Sequence, residues 1–127
     1  MKKLLLLLVS VVSFMSAYAY EPVFVRGDWY NGWGCSSEKN EMQTTDGIHY
    51  TLSNVTMTSG QQFKLGGNDN WNNVNFGLAG YQAKVGDKKT LEWDSESKRN
   101  MTAGEDFNNV TFSFNLQTRE FSISKPT

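Results

Sequence analysis

Strict alternation of apolar and polar residues near the carboxyl end of the chain most constrains its fold. Within residues 110–115, every second position carries a bulky apolar side chain: Val110, Phe112 and Phe114. Residues 120–124 repeat the pattern with Phe121 and Ile123. A period of two is that of a β-strand with one buried face. The short connection between the two runs predicts a β-hairpin.

The rest of the chain has the same rhythm of short runs rich in Val, Phe, Thr and Tyr. Gly, Asn and Asp stand between the runs, and these residue types favour turns. No window shows a helical apolar stripe, since the longest candidate, residues 94–106, is polar and contains Gly104. Further strands are predicted at residues 23–26, 48–52, 61–65, 82–85 and 90–93. We therefore predict an all-β fold, a single immunoglobulin-like β-sandwich of about seven or eight antiparallel strands, with a small barrel as the alternative.

Residues 1–19 predict a cleaved export signal. Two lysines precede an apolar run over residues 4–12, and residues 17–19 (Ala-Tyr-Ala) have the small-x-small pattern of a cleavage site. The run is too short for a convincing membrane span. We expect cleavage after Ala19, which leaves residues 20–127 as one domain in the periplasm or outside the cell. No cysteine stands at the cleavage site, so the sequence does not indicate lipid attachment there.

Charge and cysteine content argue against several classes of protein. The chain carries 12 basic and 13 acidic residues, scattered without a basic stripe. Nucleic acid and anionic membrane surfaces are therefore not expected as partners. Cys35 is the only cysteine, so no internal disulfide can form, and no activating pattern surrounds it. We expect Cys35 to be a small loop residue or partly buried.

The residue types needed for catalysis or metal binding are sparse. His49 is the only histidine and falls in a predicted strand, so it offers no histidine cluster for zinc and is interpreted as an ordinary strand residue. The sequence contains no nucleophile-elbow, zinc-protease or phosphate-loop motif. Most carboxylates stand beside turn residues, and a short chain leaves little room for a deep substrate cleft. We predict a protein that is not an enzyme and has no cofactor or metal.

Two long loops interrupt the strand pattern, at residues 28–46 and 66–81. Loops of this length in a small domain are usually functional or mobile. The second loop carries five asparagines between residues 68 and 75, around Trp71. Its alternating oxygen side chains lack the Gly and the terminal Glu of an EF-hand calcium loop, so a solvated polar loop is the better interpretation.

Aromatic residues concentrate in these loops. Trp29, Tyr30 and Trp33 lie within five residues of one another in a Gly- and Asn-rich stretch, which is poor core material. An exposed ring can stack on the C–H face of a sugar while neighbouring amides bond its hydroxyl groups. The sequence leaves Trp33 and Trp71 open between binding and core roles, and it favours the core for Trp29. Trp93 falls at an alternating apolar position of a predicted strand, and we predict it to be core.

A series of short motifs runs from the first predicted strand to the second long loop. In order they are Gly27-Asp28, Gly32-Trp33, Met42, Asp46-Gly47 with Tyr50, Gly60, Phe63-Lys64, Asn70-Trp71 and Phe76-Gly77. This order resembles that of the starch-binding β-sandwich modules of the SusE and SusF outer-membrane proteins of gut Bacteroidetes. It is also similar to α-glucan-binding modules attached to amylases and pullulanases. The resemblance spans about residues 23–77, and the closing hairpin also fits.

The resemblance implies a non-catalytic module that binds a polysaccharide, starch or a related α-glucan. By position it implies that Trp33 and Trp71 are stacking platforms and that Lys64 and Asn75 are polar contacts. With the nearby loop aromatics, the candidate ligand-binding residues are Trp33, Trp71, Lys64, Asn75, Trp29 and Tyr30. The alternative is a protein-interaction or structural domain of the cell envelope, because exposed aromatics also mark protein interfaces.

Overall fold

The structure is a computed structural model. It describes four parts of the chain: residues 20–29, 33, 38–68 and 70–126. Within these parts the chain forms eleven β-strands in two sheets and one 3₁₀ turn (Glu38–Asn40), which confirms the predicted all-β sandwich. The predicted export signal, Tyr30 and Cys35 lie outside the described residues. No helix in the described ranges is long and apolar enough to cross a membrane.

The first sheet has six strands arranged around β4. These strands are β1 (Phe24–Gly27), β4 (Gln62–Gly66), β5 (Asn75–Gly77), β6 (Gln82–Ala83), β8 (Glu92–Trp93) and β9 (Met101–Ala103). β1 pairs antiparallel with β4, while β5 and β9 pair with the two ends of β4 on its other side. β6 runs parallel to β9, and β8 lies beside β5. The pairing of β1 with β4 brings the first predicted strand against the segment that leads into the Asn-rich loop.

The second sheet has five strands in the order β2-β3-β10-β11-β7. They are β2 (Gln43–Thr44), β3 (His49–Met57), β7 (Lys88–Thr90), β10 (Phe107–Asn115) and β11 (Glu120–Ser124). The predicted carboxyl-terminal hairpin is confirmed as β10 and β11, with Phe112 opposite Ile123 and Phe114 opposite Phe121. Its apolar residues lie on one face, as the alternation requires.

Aromatic side chains from both sheets fill the space between them. The ring centroid of Phe63 in β4 lies 5.3 Å from that of Phe112 in β10 and 6.1 Å from that of Phe121 in β11. The rings of Phe112 and Phe121 meet edge to face at 5.1 Å. All three side chains are fully buried, and such ring pairs contribute about 0.5–1.5 kcal/mol each beyond their burial. This core fixes the inner face of each sheet and so determines which residues point outwards.

The strands are shorter and more numerous than predicted, partly because the chain changes sheet within one run. The predicted strand at residues 90–93 is divided at Leu91: β7 pairs with β11 in the second sheet, and β8 pairs with β5 in the first. Leu91 is buried between them, and its N–H donates to the carbonyl of Arg119 at 2.8 Å. The alternation continues across this crossing, so the sequence alone does not reveal it.

The prediction that Trp93 lies in the core is wrong. The Trp93 side chain is 36% exposed. It packs edge-on against Phe76, with ring centroids 5.5 Å apart. Because β8 is the outermost strand beside β5, its inward-facing side chain has a neighbour on one side only.

Candidate ligand-binding surface

Strand alternation places two basic side chains on the outer face of the first sheet. Val25 and Leu65 pair across β1 and β4 and point into the core. Arg26 follows Val25 in β1, Lys64 precedes Leu65 in β4, and the two residues pair with each other. Because successive side chains of a strand point to opposite faces, Arg26 and Lys64 lie on the outer face. Such a side chain normally meets water, yet Arg26 is only 3% exposed and Lys64 only 4% exposed. Another part of the chain therefore covers them.

Trp71 forms the cover over these two cations. Its ring centroid lies 4.2 Å from the guanidinium carbon of Arg26 and 4.8 Å from Lys64 Nζ. Gly66 makes this approach possible, because a β-carbon at that position would overlap the indole. The cation–ring contacts stabilise the arrangement by about 0.5–2 kcal/mol each. The indole is only half-buried, so it forms the outer layer above Arg26 and Lys64.

Lys64 also forms a buried ion pair with Asp94. Lys64 Nζ lies 2.5 Å from Asp94 Oδ2. The carboxylate accepts the backbone N–H groups of Lys98 at 2.9 Å and Arg99 at 3.0 Å. Burial by itself raises the pKa of Asp94, but the hydrogen bonds from Lys64 and the two N–H groups outweigh burial and lower the pKa to about 2. The ammonium of Lys64 is therefore engaged within the protein at neutral pH.

Asn75 belongs to the same buried layer. It lies on β5 opposite Gly66. Its Nδ2 donates to the carbonyl of Asp94 at 2.8 Å, while its Oδ1 has no hydrogen-bond partner among the described residues. The resemblance implies that Lys64 and Asn75 contact a ligand, but the structure buries both side chains. They support the surface and do not form it.

Arg26 holds Trp33 as well as Trp71. Its Nη2 donates to the carbonyl of Trp33, and its Nη1 donates to the carbonyl of Gly67 at 3.0 Å. The indole N–H of Trp33 donates to Asp28 Oδ1 at 2.8 Å, and Asp28 Oδ2 accepts the N–H of Gln62 at 2.8 Å. The backbone and the indole of Trp33 are thus both tied to the paired strands β1 and β4.

The carbonyl of Trp33 and the ring of Trp71 therefore both meet Arg26, which lies on the outer face of the first sheet. Both tryptophans are half-buried, so each leaves part of its surface open to solvent. A guanidinium suits this double role because it is planar and presents several donors in a fixed fork. We call Trp33, Trp71 and the face they occupy the two-tryptophan surface.

Trp29 lies in the core and not on the two-tryptophan surface. Its side chain is 8% exposed and packs in the hydrophobic core. Its carbonyl accepts a hydrogen bond from Nδ2 of the buried Asn40 at 3.2 Å. The core interpretation that the sequence favours is therefore confirmed, and Trp29 is not a ligand platform here. Tyr30 belongs to the part of the chain that the structure does not describe.

Three residues that organise this surface are missing from the sequence-based candidates: Arg26, Asp28 and Asp94. Residues 23–26 (Val-Phe-Val-Arg) do not alternate, so the sequence carries no clear signal for Arg26. Asp28 stands in the Gly-Asp motif, which indicates a turn but no partner. Nothing near Asp94 in the sequence indicates that it pairs with Lys64, since the contact depends on how distant strands associate.

A second polar cluster caps the turn between β2 and β3. Asp46 Oδ1 accepts the N–H groups of Ile48 at 2.9 Å and His49 at 2.8 Å, and Oδ2 lies 2.7 Å from His49 Nδ1. The bond to the His49 side chain, followed by those to the two N–H groups, holds the pKa of Asp46 well below its ordinary value. Both side chains are exposed. In the described ranges, no three His, Cys, Asp or Glu side chains group to hold a metal ion.

The two-tryptophan surface thus consists of two half-buried tryptophans, and the ring of Trp71 lies on a buried, charged support. Arg26 donates to the carbonyl of Trp33 and lies against the ring of Trp71, and the Lys64–Asp94 ion pair lies within the same layer. Rings fixed in this way can stack against flat apolar surfaces of a ligand. Comparisons with models of known protein families, with curated proteins and with solved structures found no match to this chain.

Proposed function

We propose that the protein is an exported, non-catalytic module that binds a glycan at the two-tryptophan surface, with a starch-type α-glucan as the favoured ligand. One observation carries the proposal: a single buried residue, Arg26, bonds the carbonyl of Trp33 and lies against the ring of Trp71. Rings that are already ordered suit stacking, because ordering a mobile side chain on binding costs about 0.5–1.5 kcal/mol.

The orientation of the Trp71 ring supports this proposal. Arg26 and Lys64 contact the ring from the side of the sheet and are more deeply buried than the indole. In this proposal, the opposite side of the ring is the one that meets the ligand. A sugar placed there would bring its polarised C–H groups against the π face.

Exposed amides beside Trp71 supply hydrogen-bond partners for a sugar. Asn72 and Asn73 follow Trp71 directly, and both are exposed. An amide offers both a donor and an acceptor, which matches the hydroxyl groups of a sugar. We assign the polar contacts to these two residues in place of the buried Lys64 and Asn75.

The resemblance of residues 23–77 to the SusE and SusF modules supports an α-glucan as the ligand. In such modules two aromatic rings cradle the curve of the glucan, and Trp33 and Trp71 are the matching positions here. The export signal predicted at residues 1–19 supports a function outside the cytoplasm, where polysaccharides are encountered.

Isothermal titration of the folded domain with maltoheptaose, beside a panel of β-glucans, tests this function. We expect weak binding, with a Kd from about micromolar to about millimolar, because one short sugar contact buries little area. Maltoheptaose should bind more tightly than any β-glucan of similar length. If a folded sample gives no heat with any glycan, the proposal fails.

A protein-interaction function is the second candidate, and the exposed edge at Trp93 favours it. Trp93 is one of the few large apolar side chains in the described residues that are exposed. Its neighbour Phe76 also lies 5.1 Å from the guanidinium carbon of the exposed Arg119, measured to the ring centroid. Trp and Arg are enriched at the centres of protein interfaces, and an outer strand such as β8 can pair with a partner.

Capture of partners from the parent cell envelope tests the second function. The wild-type domain and Trp93→Ala serve as matched baits, and Trp33→Ala serves as the control for the other surface. The interaction function predicts a partner that is lost with Trp93→Ala and retained with Trp33→Ala. Equal capture by all three baits would contradict a role for this edge.

A further inference from the structure

A groove separate from the two-tryptophan surface lies between residues 78–82 and the turn that leads into β7. It is a shallow groove, open to solvent, with a volume of about 510 Å³. Leu78 and Tyr81 contribute its apolar wall, and Lys84 and Lys89 stand along it. We call it the lysine groove.

Hydrogen bonds fix the frame of the lysine groove. The hydroxyl of the buried Tyr81 donates to Asp87 Oδ2 at 3.0 Å, and the backbone N–H of Lys84 donates to the same oxygen at 2.9 Å. Burial, followed by the bond to Asp87, raises the pKa of Tyr81, so its hydroxyl keeps the donated proton. The N–H of Ile123 in β11 donates to the carbonyl of Asp87 at 3.2 Å. The wall is therefore ordered before any ligand arrives.

The charge left over in the groove is positive. Asp87 is the only carboxylate among the described residues that line it, and one oxygen of that carboxylate already accepts two hydrogen bonds from the groove itself. Lys84 and Lys89 are exposed, and neither pairs with a carboxylate within the described ranges. Lys89 Nζ lies 5.9 Å from the centroid of the Tyr81 ring, so the ammonium lies above the apolar wall that this ring forms. By contrast, the adjacent Lys88 faces Glu120, with Nζ 3.9 Å from its carboxylate.

We propose that the lysine groove binds the carboxylate of an acidic sugar, a uronic acid unit of a glycan. Two ammonium groups can donate charge-assisted hydrogen bonds to one carboxylate. The exposed amide of Gln82 lines the groove and can meet ring hydroxyl groups, while Leu78 offers an apolar contact to the ring. A β-carbon at Gly80 would meet nothing within 4 Å, so the groove is open to solvent at this position. The choice of a sugar rests on the proposed glycan function, whereas the choice of an anion rests on the lysines alone.

Titration of the mature domain with tetragalacturonate, beside the neutral maltotetraose, tests the proposal. The double variant Lys84→Gln/Lys89→Gln should bind tetragalacturonate about tenfold more weakly than the wild type, and added salt should weaken wild-type binding. Lys88→Gln removes a neighbouring lysine outside the groove and should bind like the wild type. Circular dichroism shows whether each variant is folded. Equal affinity in the double variant and the wild type, or no wild-type binding at low salt, would overturn the proposal.

Two further titrations distinguish binding at this groove from binding at the two-tryptophan surface. Trp71→Ala should bind maltoheptaose more weakly and keep lysine-dependent binding to tetragalacturonate. Failure of all neutral glycans together with lysine-dependent tetragalacturonate binding would overturn the α-glucan function and support the groove. Tetraglutamate is the peptide control, and lysine-dependent binding as tight as that of tetragalacturonate would overturn the assignment to a sugar.

Discussion

The buried guanidinium of Arg26 donates to the carbonyls of Trp33 and Gly67 and lies 4.2 Å from the ring centroid of Trp71. These contacts join two loops that are far apart in the sequence. The sequence could indicate that Arg26 ends the first strand, because the apolar run of residues 23–25 stops there. It could not reveal what Arg26 bonds, because that depends on the pairing of β1 with β4 and on the path of both loops.

Arg26→Lys should lower the free energy of unfolding by about 1–3 kcal/mol. A single ammonium cannot reproduce the fork that serves both carbonyls, and a buried acceptor left without its donor is costly. Urea unfolding followed by tryptophan fluorescence measures the effect. Arg99→Lys is the matched control, because Arg99 pairs with Glu92 at an exposed site where such a change costs about 0–1 kcal/mol. A stable Arg26→Lys protein would contradict the anchoring role.

Asp94 should make the stability of the protein depend on pH at the acid end. Its pKa in the folded protein is about 2, below the ordinary value of 3.8. A carboxyl group with a lowered folded pKa stabilises the fold above the unfolded pKa, and that stabilisation disappears as the pH falls through the folded pKa. We therefore expect the free energy of unfolding to fall between about pH 4 and about pH 2.

Asp94→Asn provides the comparison for this pH profile. At neutral pH it leaves the buried Lys64 without its counter-charge, which should cost about 3–5 kcal/mol. Urea unfolding across the acid range should show a flatter profile in the variant. Part of the slope should persist, because the pKa of Asp46 is lowered as well. Identical slopes in the two proteins would show that Asp94 does not carry the effect.

At the scale of strands, the sequence predicted those elements whose signal is local. The β10–β11 hairpin follows from alternation and a short connection, and it forms where expected. The run at residues 90–93 also alternates, yet it crosses between sheets at Leu91 and leaves Trp93 exposed. Alternation states which side chains share a face, but it does not state which sheet a strand joins or whether it lies at an edge.

Gly66 in β4 should be required for Trp71 to pack against the sheet, because it has no side chain. A β-carbon there would overlap the indole, so we expect Gly66→Ala to cost about 1–3 kcal/mol of stability. In a Trp71→Ala background the same change should cost less, because the ring is gone. Urea unfolding of the four proteins measures this coupling. Strictly additive effects would contradict the contact.

At the scale of the whole molecule, the inner faces of the two sheets form the core, and the outer face of the first sheet forms the candidate binding surface. The inner faces hold the aromatic core around Phe63 and Phe112, which supports the fold independently of any ligand. The outer face of the first sheet carries the buried charges and the ring of Trp71 above them. The sandwich was predictable from the sequence, because strand patterning sets the fold class. The meeting of Trp33 and Trp71 with Arg26 was not, because it depends on tertiary contacts.

The affinity of Trp33→Ala, Trp71→Ala and Trp93→Ala for maltoheptaose, measured by isothermal titration beside the wild type, tests the central claim most directly. Removing either ring of the two-tryptophan surface should weaken binding by about 1–3 kcal/mol, by analogy with the stacking of bases on aromatic side chains. Trp93→Ala is the control from the opposite edge and should bind within about 0.5 kcal/mol of the wild type. Unchanged affinity in Trp33→Ala and Trp71→Ala, both folded, would contradict the claim that these two rings form the binding surface.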